Sequence, residues 1–166
     1  MSLPTYSSWL SRVLVLQVVT SPSSLRSNLQ YLTANDWTLI RTKAKHSVFH
    51  LGEEIIREGA QLSSIYIIRR GSASVELATG KSVAVLAMLG EGDVCGEMAF
   101  VEQGIASASV IAKDFEVEAD EIDARDVRLL FDAFPGLAAR FFQSLAVIVS
   151  RRLRSTSAEL VRATRQ

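Results

Sequence analysis

From Ser47 to about Asp120 the chain keeps a period of two, in short runs cut apart by glycines, and no other feature limits its fold as strongly. Val48–Leu51, Glu54–Arg57, Ser64–Arg69, Ser72–Leu77, Ser82–Met88, Ser107–Ala112 and Phe115–Ala119 are rich in Val and Ile and read as strands. Gly52, Gly59, Gly71, Gly80, Gly90 and Gly92 fall between them, where tight turns demand a positive φ. Many short strands on glycine turns predict a small barrel or roll.

On both sides the period turns helical. Leu25, Leu29, Leu32, Leu39 and Ile40 recur near helical spacing over Leu25–Ala44, with Thr33 or Asn35 placed to cap a second short helix. Asp123 is a natural N-cap for Ala124–Ala133. Pro135 opens a long helix running to about Thr164. That helix carries one apolar stripe of Phe141, Leu145 and Ile148 and a second of Ala138, Phe142, Ala146, Val149 and Leu153. Two apolar sides must both be covered. The roll can cover one, and the same helix of a second chain is the simplest cover for the other, so a homodimer through residues 137–160 is expected. Residues 1–24 read as a leader, apolar over Trp9–Val19 and then broken by Thr20-Ser21-Pro22-Ser23-Ser24.

Composition narrows the function. Of 166 residues, 18 are Lys or Arg and 18 are Asp or Glu, so no global charge attracts nucleic acid or an anionic membrane. The late cluster Arg151, Arg152 and Arg154 reads first as the solvated end of a helix. With Cys95 as the one cysteine, neither an internal disulfide nor a four-cysteine cluster can form, which fits a reducing, cytoplasmic setting. No apolar run approaches the ~20 residues of a membrane span; Trp9–Thr20 has the length of a signal-peptide core, but no convincing small-residue cleavage site follows it. His46 and His50 lack a third histidine nearby, which argues against a metal centre and a cupin-type enzyme. Ser107 and Ser109 have no candidate base, so no nucleophilic site is read there and the chain is not expected to be an enzyme.

The informative stretch is Gly90-Glu91-Gly92-Asp93-Val94-Cys95-Gly96-Glu97-Met98-Ala99-Phe100. At the start of a short helical turn the N–H groups of Met98, Ala99 and Phe100 would be unpaired and could face an anion. Glu97 could accept from a sugar hydroxyl, and Ser107-Ala108-Ser109-Val110 adds hydroxyl and backbone donors. A phosphate plus a ribose is the chemistry suggested. Ordinary turn glycines with a capping glutamate would produce the same pattern.

The longer pattern is specific. It runs through Leu51-Gly52-Glu53, Glu58-Gly59, Ile65-Tyr66-Ile67-Ile68-Arg69-Arg70-Gly71, Gly90-Glu91-Gly92, Gly96-Glu97-Met98-Ala99 and Ser107-Ala108-Ser109-Val110, and ends in Ser150-Arg151-Arg152-Leu153. In order and glycine spacing, residues 46–160 resemble the cyclic-nucleotide-binding domain shared by the catabolite activator protein, the regulatory subunits of cAMP-dependent protein kinase and cyclic-nucleotide-gated channels. The resemblance implies a mainly β fold with flanking helices over 25–166: an eight-stranded, jelly-roll-like β-roll at about 46–121, N-terminal helices, and C-terminal helices at about 123–164. It places a phosphate cassette at 96–110. Glu97 then takes the ribose 2′-hydroxyl, and Gly96, Met98 and Ala99 bring backbone near ribose and phosphate. Ser107 offers its hydroxyl to the phosphate beside the small Ala108. Ser109 stands where some relatives touch guanine, and Thr156 and Ser157 stand where hydroxyls reach adenine from the long helix.

One departure stands out. The family's cassette arginine, which pairs with the cyclic phosphate, falls on Ala106, and the proline that often precedes it falls on Ile105. Losing that charge-assisted contact should cost on the order of 2–5 kcal/mol. Arg125, Arg151 and Arg152 are candidate substitutes. The resemblance thus implies a regulatory domain that binds cAMP or cGMP, or a related small anion, weakly. The alternatives are a non-binding dimerisation or docking module, or the sensor part of a catabolite-activator-type transcription regulator. No helix-turn-helix follows the long helix, so nucleic-acid binding by this chain itself is not expected.

Overall fold

The computed structural model describes residues 28–80 and 82–163. The expected leader at 1–24, the start of the expected helical stretch at Leu25 and the expected end of the long helix at Thr164 lie outside them.

The described residues form eight strands and four helices. In chain order these are α1 (Ala34–Arg41), β1 (Lys45–His50), β2 (Glu54–Ile56), β3 (Ser64–Arg70), β4 (Ala73–Thr79), β5 (Ser82–Leu89), β6 (Val94–Cys95), α2 (Glu97–Glu102), β7 (Ser109–Ala112), β8 (Glu116–Asp123), α3 (Ala124–Ala133) and α4 (Pro135–Ala163). Two four-stranded antiparallel sheets, ordered β1-β8-β3-β6 and β2-β7-β4-β5, make the β-roll.

β3 shows why the roll needs helices on one side. Its run Ile65-Tyr66-Ile67-Ile68 is apolar without alternation because both faces of the strand are covered. Ile68 joins Ile55, Ile56, Ala73, Leu89, Cys95, Ala106, Val110, Ala112, Val117 and Ala119 in the core between the sheets. Ile65 and Ile67 join Val94, Phe100 and Ile122 in a second core against Val127, Leu137, Phe141, Leu145 and Ile148 of the helices. The first sheet is therefore the middle layer of three.

Several expected boundaries move for identifiable reasons. Of the helical stretch expected over Leu25–Ala44, the second short helix forms at Ala34–Arg41, and residues 28–33 before it are not helical. Before it, the Asn28 N–H donates to Gly92 O (2.9 Å) and the Tyr31 N–H to Ser144 Oγ (3.1 Å), so tertiary partners take the donors a helix would use. Thr33 is the cap, in a reciprocal capping box with Asp36. The strand expected from Ser107 starts at Ser109, because Ala106 is held by the preceding turn through Gly59 N–H to Ala106 O (2.8 Å) and Ala106 N–H to Ala60 O (2.9 Å). β8 runs on past Ala119 to Asp123: its acidic residues look like a strand end, yet Ile122 is fully buried. β6 went unread because only two residues between glycines pair with β3.

On α4 the stripe of Phe141, Leu145 and Ile148 is buried, as its spacing predicts. On the second stripe Phe142, Val149 and Leu153 are 44%, 40% and 66% exposed. No helix among the described residues is long and apolar enough to cross a membrane.

Candidate functional site

β6 leads directly into α2 through Gly96, whose φ of +81° turns the chain sharply. A Cβ there would lie 2.9 Å from Ser64 O and 3.0 Å from Leu62 Cδ2, so both the conformation and the space call for glycine. The turn buries Glu97 to 5% exposure at the head of α2. Helical pairing begins at once, with the Phe100 N–H donating to Gly96 O (3.0 Å). Phe100 is thereby removed from the N–H groups expected to face a ligand. Met98 and Ala99, in the first turn, have no carbonyl one turn back to bond.

The turn forms one wall of a cavity of about 520 Å³. Gly96, Glu97, Met98, Ala99, Ala106, Ser107, Ala108 and Thr156, all singled out in the sequence, line it together. Two others do not. Ser109 alternates with cavity-lining Val110, and its hydroxyl accepts the Glu58 N–H at 3.0 Å. Ser157 is exposed on α4, while Ser155 takes a place in the wall. Residues not anticipated close the rest, among them Ile56, Leu62, Val75 and Asp93. A β-bulge in β5 leaves Leu86 without a partner on β4, between the pairs Val85–Glu76 and Ala87–Val75, and Leu86 also lines the cavity.

Arg152 is the most informative of these side chains. It reaches in from α4, donates from Nη1 to Glu97 Oε1 at 2.5 Å, and from Nη2 to the Val94 carbonyl. Glu97 is thus not an idle carboxylate: it holds the long helix against the cassette. Of the three arginines considered as substitute cations, Arg125 is bound to its own cap, Asp123, in solvent, and Arg151 donates to Gln30 Oε1 (2.8 Å). Only Arg152 lines the cavity. Helical arithmetic carries the signal: Phe141, Leu145, Ile148 and Arg152 follow one another by four, three and four, so a charge falls on the buried stripe. Phe100 of α2 meets Phe141 of α4 at 5.8 Å between ring centroids, giving cassette and helix an apolar joint beside the ionic one.

The electrostatics of the wall are uneven. Asp93 is engaged on both oxygens, by Asn28 Nδ2 (2.5 Å) and the Gly90 N–H (2.8 Å). Burial, with the Glu97 charge nearby, pushes the Cys95 thiol up to about 12, so it stays protonated and inert at neutral pH. Ala106 is 5% exposed and lines the cavity, whereas Ile105 is 60% exposed and does not line it. His46 lies on the outer face of the first sheet, 3.6 Å from Glu118 and 3.5 Å from Asp120, and His50 packs beside Phe115.

A β-roll whose glycine-turned helix shares a cavity with a long C-terminal helix defines a class of ligand-sensing domain. The sequence matches the cyclic nucleotide-binding domain family over residues 47–134, more than half of the chain, and the chain belongs to that family. It is 34% identical over 137 residues to the cyclic GMP-binding protein C of Dictyostelium discoideum, a match covering 78% of this chain and 5% of that protein. The fold superposes on the catabolite activator protein of Thermus thermophilus with a TM-score of 0.69 and 26% identity, covering 83% of this chain and 63% of that one. A cyclic nucleotide-binding domain from Methylobacillus flagellatus gives a TM-score of 0.74 at 15% identity, covering 93% of this chain and 82% of that one, a likeness of fold. The chain thus spans only a small part of the Dictyostelium protein and under two thirds of the Thermus one.

Proposed function

We propose that this is a cytoplasmic, non-catalytic sensor that takes cAMP or cGMP into the cavity and binds it weakly. The Glu97–Arg152 pair carries the reading, because it puts the group suited to a ribose hydroxyl and the long helix on the same side chains. Glu97 accepts from the ribose hydroxyls, and Arg152 donates to the same side chain, so ligand and helix meet at one point. Ser107 and the first-turn N–H groups of α2 offer neutral donors to the phosphate, with no cation at Ala106 to strengthen them. A ligand acts on such a domain only through a difference in affinity between two helix positions, and contact with Arg152 supplies one. Titration with cAMP and cGMP into the millimolar range, followed by thermal shift, tests this. Ligand at a hundred times its Kd should add about 2.7 kcal/mol of stability. No shift with either nucleotide at that concentration would leave a docking module as the function.

The second stripe of α4 favours a homodimer, whether the chain works alone or as the sensor part of a larger regulator. Phe142, Val149 and Leu153 form an exposed apolar line on one helix face. Sedimentation at tens of micromolar should show a dimer, and Phe142→Asp should shift it at least about tenfold toward monomer by burying a charge in the contact. A wild-type monomer unaffected by that change removes the dimer.

A further inference from the structure

The charge balance of the cavity leads beyond the general ligand class. Among its lining residues the charged groups are two carboxylates, Asp93 and Glu97, and one guanidinium, Arg152. That guanidinium is already spent on Glu97 and the Val94 carbonyl. Where the sequence pattern would place a cation, the lining is Ala106, Ser107 and Ala108, small and uncharged. A cyclic phosphodiester entering there would give up its hydration in a cavity of net negative charge, against neutral donors alone. A ribose meets the opposite situation. Its hydroxyls can donate to the Glu97 carboxylate, and the apolar wall of Ile56, Leu62, Val75 and Leu86 suits a planar ring.

We infer that the cavity reads the sugar and base of its ligand and not the phosphate, so that an uncharged nucleoside binds at least as well as the corresponding cyclic monophosphate. This rests on the proposal that the ribose sits on Glu97. Removing the phosphate removes a desolvation cost that no cation here offsets, while the hydroxyl contacts remain.

Calorimetry on the wild-type domain with adenosine, cAMP, guanosine and cGMP tests it. For at least one base the nucleoside should bind as tightly as its cyclic monophosphate, within about threefold, or tighter, and Glu97→Gln should weaken the nucleoside at least about tenfold. If the cyclic monophosphate binds about tenfold or more tightly than the nucleoside for both bases, the inference is overturned while the cavity remains a nucleotide site. If nucleosides bind equally well to Glu97→Gln, the ribose is not on Glu97 and the inference is overturned again. If none of the four binds at millimolar concentration, the underlying reading falls and takes the inference with it.

Discussion

Ala106→Arg should strengthen cAMP or cGMP binding at least tenfold, which is about 1.4 kcal/mol or more. The side chain would start from a well-held point. Ala106 is anchored by backbone hydrogen bonds to Gly59 and Ala60, and it lines the cavity. The neighbouring Ile105 is exposed and does not line the cavity. The new guanidinium would balance the second carboxylate of the wall and give the cyclic phosphate a charge-assisted partner. It should also reverse the ligand order, placing the cyclic monophosphate above the nucleoside. Calorimetry on both proteins, with a melting curve to show that the variant is folded, decides the matter. Equal cyclic-nucleotide affinities would mean that the cassette differs from a phosphate site by more than one side chain.

The second large effect concerns stability. Asp36, 3% exposed, is gripped by Arg140 through Nε and Nη2 at 2.7 Å each, and also accepts the Thr33 N–H at 2.8 Å. Arg140 lies in the first turns of α4, so this pair fastens α1 to the long helix. The Arg140 hydrogen bonds hold the Asp36 carboxyl well below the usual carboxylate range, against the opposing effect of burial. Arg140→Ala leaves that carboxylate enclosed without its cation and should lower the midpoint of thermal unfolding at pH 7 by at least about 5 °C. The pH dependence carries a sign. A carboxyl whose pKa is depressed in the folded state contributes stability that is fully present above its unfolded value, near 3.9, and is lost progressively as pH falls from there through the much lower folded value. The gap between wild type and Arg140→Ala should therefore be widest at neutral pH and narrow below about pH 4. Melting curves at pH 7 and at about pH 2.5, inside the window in which the contribution is lost, give the comparison. An unchanged gap would assign the loss to the Arg140 alkyl chain.

How far the sequence could be read depended on whether a residue's role is set by its neighbours in the chain. The strands and glycine turns are local, so the roll, the Asp123 cap and the buried stripe of α4 could be read directly. The cassette glycines and Glu97 could also be read, because Gly96 and Glu97 are adjacent to the elements that position them. What escaped was long-range. Residues 28–33 have apolar spacing that suits a helix, but their N–H groups are claimed by Gly92 and Ser144. Ser109 and Ser157 looked like ligand contacts by alignment, and strand alternation and helical pitch turn both away from the cavity. Arg152 was named only as a spare cation in a basic cluster. Its place on the Phe141, Leu145 and Ile148 stripe was the available clue.

The order of strands in the two sheets also governs how the chain can reach this state. β1 pairs with β8, so that His46 comes to face Asp120, 74 residues later, and β2 pairs with β7 inside that loop. The outer closure encloses the inner one, and each requires most of the roll to be gathered before its hydrogen bonds return any free energy. Such nested, non-local pairing places the domain among slow folders, with times of roughly milliseconds to seconds where a helical bundle of this size needs microseconds to milliseconds. On a ribosome the sheet that holds β1 cannot close until β8 has emerged. Until then Ile65, Ile67 and Ile68 of β3 have neither of their two cores complete, and the nascent chain carries its most apolar strand uncovered.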